Sequence, residues 1–117
     1  MKVITSDLTD RALDWAVAKC SGVTLVLAPY TGARNYVILG QNGKPTSSEY
    51  LPSTSWAQGG PIIEREGISV TQFGGAWKAS TLRQPAVLGP THLVAAMRAY
   101  VASKLGDEVE IPEGLTC

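Results

Sequence analysis

Ile68-Ser69-Val70-Thr71-Gln72-Phe73-Gly74-Gly75-Ala76-Trp77-Lys78-Ala79 is the stretch that decides the fold class. Apolar and polar residues alternate up to a Gly-Gly pair and β-forming residues resume after it, which is the pattern of a tight antiparallel hairpin. Toward the C terminus, Thr81 to Gly89 reads as a polar link. Pro90 and Thr91 then open a helix that reaches Leu105, with Gly106 as its stop. Val94, Met97, Val101 and Leu105 mark its buried stripe and Leu93 and Tyr100 its shoulder. The acidic tail, about 107–117, is expected to lie along the surface or fray.

Toward the N terminus the signals are shorter. Lys2 to Thr5 reads as a strand, and Ser6 and Asp7 offer capping side chains to a helix running to about Cys20. Asp10 adds negative charge near the positive end of that helix. Leu13, Ala16, Val17 and Cys20 form its inward stripe, Asp10, Arg11, Asp14 and Ala18 its outer face, and Gly22 the stop; Trp15 falls beside the stripe, at a core edge or pocket. Val23 to Ala28 is a nearly continuous apolar strand ended by Pro29, suited to burial on both faces or to a contact between subunits. Tyr36 to Leu39 is the next strand, followed by an Asn42-Gly43 turn. A long irregular segment then extends to Pro61.

This order predicts one domain over residues 1–117 of α+β class, with a small, mainly antiparallel sheet packed against two amphipathic helices. The 44% hydrophobic and 17% charged content argues for a folded core. Ten basic and ten acidic residues cancel. That balance argues against a phosphate-backbone partner, so Lys78, Arg83, Arg98 and Lys104 read as scattered solubility charge. Two cysteines, Cys20 and Cys117, suggest neither a disulfide framework nor a zinc site. With no export signal and no long apolar run, a reducing cytoplasm is expected and a membrane is not.

Between Tyr50 and Glu66 the sequence YLPSTSWAQGGPIIERE is the most unusual in composition. Long loops in compact domains are commonly functional. Trp56 with Tyr50 would stack on a planar group, Ser53, Thr54, Ser55, Gln58 and Arg65 would bond its polar rim, and Gly59 and Gly60 would let the backbone approach. A small polar, nucleotide-like ligand suits this set. The plainer reading makes Trp56 a core plug, Gly59-Gly60-Pro61 a turn into an Ile62-Ile63 strand, and Arg65 the partner of a nearby acid.

Catalysis has less support. His92 is the single imidazole, best explained as part of a helix start, and no nucleophile motif, phosphate loop or metal spacing accompanies it. A small hydrolase using Glu64, Glu66 and His92 is the weakest reading, and no cofactor is expected. Glu64 and Glu66, two apart on a strand, would share a face and could attract a cation.

Leu13 to Lys19 (LDWAVAK), Ser53 to Val70 (STSWAQGGPIIEREGISV) and Gly89 to Pro112 (GPTHLVAAMRAYVASKLGDEVEIP) resemble the NinX-like phage proteins, a family of unknown function. The resemblance covers most of the chain, and residues 29–49 and 78–88 carry little of it. It implies a bacteriophage or prophage accessory protein in the cytoplasm of the bacterial host, and no reaction. This chain has Ser55 where the family commonly has Asp before Trp, and His92 where many members have Pro. Two functions follow as expectations. One is capture of a nucleotide-like molecule such as an immune signal, at a site that a homo-oligomer would form between its subunits. The other is a module that blocks a host or phage protein, anchored by Trp15, Trp56 and Trp77.

Overall fold

The computed structural model describes residues 2–27, 36–40, 42–82 and 85–111. Along the chain these form β1 (Lys2–Ile4), α1 (Asp10–Ser21), β2 (Leu25–Leu27), β3 (Tyr36–Leu39), β4 (Pro45–Glu49), α2 (Trp56–Glu66), β5 (Ser69–Phe73), β6 (Ala76–Ser80), β7 (Val87–Gly89), α3 (His92–Leu105) and β8 (Glu108–Glu110). The class is α+β, as expected. The single sheet of the sequence reading is instead three small antiparallel sheets, β1-β8, β2-β3-β4 and β5-β6-β7.

The predicted hairpin is β5-β6, with Phe73 opposite Ala76 across Gly74-Gly75. Gly74 has φ +60°, a value that a side chain would make costly in a two-residue hairpin turn. The supposed polar link supplies β7, which pairs with β6 and places Gly89 opposite Trp77. Gly89 has to be glycine, because a Cβ there would lie 2.6 Å from the Ala95 nitrogen and 2.9 Å from its Cα.

α3 is the centre of the molecule. Every residue from Leu93 to Ala102 is buried, so this helix is covered all round rather than on one stripe. It packs on β5-β6-β7 on one side and against α1 and α2 elsewhere. Thr91 caps it, its hydroxyl accepting from the Val94 amide at 3.1 Å. Leu105 is the exception to the predicted stripe, 38% exposed at the helix end.

Arg98 is buried within this core and is not surface charge. Its Nε donates to the Leu8 carbonyl and its Nη1 to the Leu88 carbonyl, both at 2.8 Å, so one side chain ties the start of α1 to β7. Burial lowers its pKa, with Asp7 opposing. Arg83, another member of that basic set, lies outside the described residues.

α1 has the predicted end, with Gly22 at φ +74°. Its start differs: Thr5–Asp7 form a turn of 3-10 helix and Thr9 is the N-cap. Leu13, Ala16 and Val17 are buried and Cys20 is partly buried, as the stripe required. Asp14 and Ala18, expected outside, are buried as well; the chain before α2 meets Asp14, whose carboxylate accepts from the Ser53 amide.

Two further strands escaped the sequence reading. β4 completes a hairpin with β3 around Asn42-Gly43, where Gly43 has φ +78° and the Asn42 side chain accepts from the Lys44 amide. β8 takes up part of the tail that was expected to fray, pairing Val109 with Val3 and burying Val109 and Ile111. The Thr5 hydroxyl donates to the Gly106 carbonyl at 2.6 Å, fastening this ribbon to the end of α3. Pro29 and residues 112–117, on which the expected strand end and outer tail depended, lie outside the described residues.

Candidate functional site

The segment read as a loop to Pro61 and then a strand is, from Trp56 onward, a helix. Gly59, Gly60 and Pro61 are poor helix formers, which is why the local reading failed. Packing explains Gly59. A Cβ there would lie 2.3 Å from the Pro52 carbonyl oxygen and 2.7 Å from Leu93 Cδ2, so glycine lets α2 press against both. Ile62 enters the core and Ile63 packs against it, as helix partners rather than strand residues.

The chain before α2 is held inward. The Ser53 amide donates to Asp14 Oδ1 at 2.8 Å, in a place where both residues are buried. The Thr54 and Ser55 amides donate to the Leu51 carbonyl, and the Leu51 amide donates to Gln58 Oε1. Ser53 is therefore interior, its hydroxyl without a partner among the described residues, while Thr54 faces solvent and Ser55 is the N-cap of α2.

The candidate ligand residues divide between the two ends of this helix. Trp56 and Arg65 are separated by nine residues, which amounts to about 13 Å of rise and half a turn of rotation. They face different surroundings. Arg65 lies at the C-terminal end, where its Nε donates to Glu66 at 2.9 Å and its Nη2 to the Tyr100 hydroxyl at 3.2 Å. Ser21 Oγ lies 3.2 Å from that same hydroxyl, and Lys104 is 3.5 Å from Glu66. The Arg65 hydrogen bond lowers the Glu66 carboxyl below its ordinary pKa. Burial raises the Tyr50 phenol, with Ser21 opposing, and raises the Cys20 thiol to about 11. Lys19, Arg65 and Lys104 occupy the last turns of α1, α2 and α3, where cations complement the negative helix ends.

At the opposite end the structure assembles aromatic rings. The His92 ring lies 4.5 Å from that of Trp56 and 5.3 Å from that of Trp77, tilted by 48° and 44°. Such separations and tilts are favourable for aromatic pairs. Trp56 comes from the first turn of α2, His92 from the first turn of α3, and Trp77 from β6, on the same face as buried Ala79. Trp56 is 55% exposed, and His92 and Trp77 are half-buried. Gly60 lies under the Trp56 ring, where a Cβ would be 3.2 Å from Cε3. The set offers an indole face, an imidazole that can donate or accept, and the positive ends of two helices.

Sequence reasoning named all three rings and did not group them, since contact between residues 56, 77 and 92 has no local signature. The one available signal is that Ser55 before Trp56 and Thr91 before His92 are both residues that commonly cap a helix start.

The other candidates separate. Glu64 is exposed, while Glu66 lies ten residues and about 15 Å along α2 from the end that meets His92. Glu64 and Glu66 do not share a strand face, because the segment is helical. Among the described residues no group of three or more His, Cys, Asp or Glu could hold a metal ion. Trp15 lines a small open depression with Ala18, Lys19, Val23 and Leu25, and Lys19 Nζ sits 4.9 Å from its ring centroid.

The family model described as Bacteriophage P22, NinX matches residues 4–104. The chain belongs to the NinX family. The matched span runs from the end of β1 to the last turn of α3 and so takes in all three rings of the cluster. No curated protein matches the chain. Membership of the NinX family makes this a phage accessory protein. Among its described residues no helix is long and apolar enough to cross a membrane.

Proposed function

We propose that this NinX-family protein works by binding, and that it captures a small polar, nucleotide-like molecule on the Trp56-His92-Trp77 surface. In the cytoplasm of the infected bacterium, such capture would withdraw an immune signal from the host. The observation that carries this reading is the exposed Trp56 indole held against His92 where α2 and α3 both begin. An indole face accepts a base by stacking, and helix N-termini favour the negative charge of phosphate. Gly60 borders the same ring and Ser55 is the N-cap just before it, whereas Gln58 shapes the preceding turn and Arg65 would need a ligand long enough to follow α2.

A thermal-shift screen with linear and cyclic adenine and guanine nucleotides, followed by calorimetry, tests the proposal. Trp56→Ala should weaken any binder by about 5- to 150-fold, the range for loss of one base-aromatic stack. Absence of binding by every nucleotide at millimolar concentration would refute it.

A second reading is an interaction module, favoured by the outer face of β5-β6-β7. Phe73 is 55% and Leu88 48% exposed there, on the face of the sheet turned away from α3. Capture of a phage or host protein that is lost in Phe73→Ser and retained in Trp56→Ala would select this reading. The apolar strand β2, at the edge of its sheet, would suit pairing with a second copy, which light scattering would detect.

A further inference from the structure

We infer that α2 is a detachable strap, which leaves α3 and refolds onto it while the rest of the domain stays intact. Its composition is the first reason. Gly59, Gly60 and Pro61 stand consecutively in the middle of an eleven-residue helix. Each glycine disfavours the helix about fivefold relative to alanine, and proline about a hundredfold. Pro61 also lacks the N–H that would have bonded to the Ala57 carbonyl.

Docking is the second reason. Only Gly59 and Ile62 of α2 are buried, with Ile63 half-buried, whereas ten consecutive residues of α3 are buried. The remaining ties are few and polar or aromatic. Exposed Trp56 meets His92, Gln58 accepts from the Leu51 amide, Arg65, its side chain 54% exposed, reaches the Tyr100 hydroxyl, and Lys104 lies 3.5 Å from Glu66. Segments with few buried apolar contacts are the ones that open below the global unfolding free energy. Here the local weakness and the thin docking fall on the same helix.

The arrangement has a functional consequence that rests on the binding reading above. Trp56 belongs to α2, whereas His92 and Trp77 belong to α3 and β6, so the aromatic surface exists only while the strap is docked. A molecule held on that surface would fix the strap in place.

Native-state hydrogen exchange on the ligand-free protein tests the strap by itself, whatever the surface binds. The amides of residues 59, 60 and 62–66 should exchange at least a hundredfold faster than those of residues 96–102, with global unfolding unchanged. Pro61→Ala, at an exposed position, should slow exchange across α2 by about ten- to a hundredfold, and exchange of α3, which opens only after α2 has left, should slow by no more than the same factor. Exchange of α2 in step with α3, or an α2 rate that Pro61→Ala does not change, would overturn the inference. If the strap behaves as described and no nucleotide slows its exchange, the strap stands and the binding reading fails.

Discussion

Gly89→Ala should be among the most damaging single-methyl changes in this protein. The added Cβ would sit 2.6 Å from the Ala95 nitrogen, 2.9 Å from its Cα and 3.1 Å from its Cβ. Ordinary contact begins near 3.4 Å, so β7 and α3 would have to separate by roughly half an ångström or more. A flexible side chain could turn away, but two of these three atoms are backbone. They are held by the bond from the Ala95 amide to the Thr91 carbonyl and by Arg98 reaching Leu88. Overpacking of this kind costs about 1–3 kcal/mol, and the rigid neighbours place this case near the upper end. For a chain of this length, about 3 kcal/mol lowers Tm by roughly 12 °C. Thermal melts followed by circular dichroism, with urea titration as a second measure, would check it. Gly75→Ala is the control, with nothing within 4 Å of its added Cβ and no positive φ, and should stay within about 0.5 kcal/mol. A Gly89→Ala Tm within 2–3 °C of the parent would refute the close packing of β7 on α3, and with it the placement of Trp77 beside His92.

Three other outcomes follow from the buried and paired groups. Asp14→Ala should lower stability by about 1–3 kcal/mol in urea titration, because it leaves the Ser53 amide without its buried acceptor. Glu66 has a lowered carboxyl pKa through its Arg65 hydrogen bond, so its contribution is present above the ordinary value of 4.5 and fades as pH falls through the folded value. Glu66→Gln should therefore cost up to about 1 kcal/mol at pH 7, and the difference from the parent should vanish in acid. Cys20, its thiol raised to about 11, should react with iodoacetamide slowly at pH 8 and about tenfold faster per pH unit up to that value, read by mass spectrometry of the Cys20 peptide.

What was legible in the chain was what is locally encoded. The β5-β6 hairpin announces itself through alternation and Gly-Gly, and α1 and α3 through apolar spacing and Gly22, Thr91 and Gly106. Strands β7 and β8 have three residues each and exist through pairing with β6 and β1, which no window of sequence contains. α2 was misread because glycine and proline were weighed by intrinsic preference, whereas the closeness of Pro52 and Leu93 makes Gly59 a packing requirement. Charge misled in the same manner: Asp14 and Arg98 look like surface residues and are buried, each bonded to backbone. At the candidate site the sequence singles out Trp56, but its neighbours His92 and Trp77 are brought to it by α3 and β6 from elsewhere in the chain.

The proposal that ligand meets protein at Trp56, His92 and Trp77 is tested most directly by nuclear magnetic resonance. Three indole N–H signals and one imidazole report on four known places, and Trp15, beside Lys19 on α1, serves as an internal reference. On titration with the best nucleotide from the thermal screen, the Trp56, Trp77 and His92 signals should shift together and saturably while Trp15 stays still. Shifts confined to Trp15 or to the Arg65-Tyr100 end of α2, with Trp56 and His92 unmoved, would contradict it.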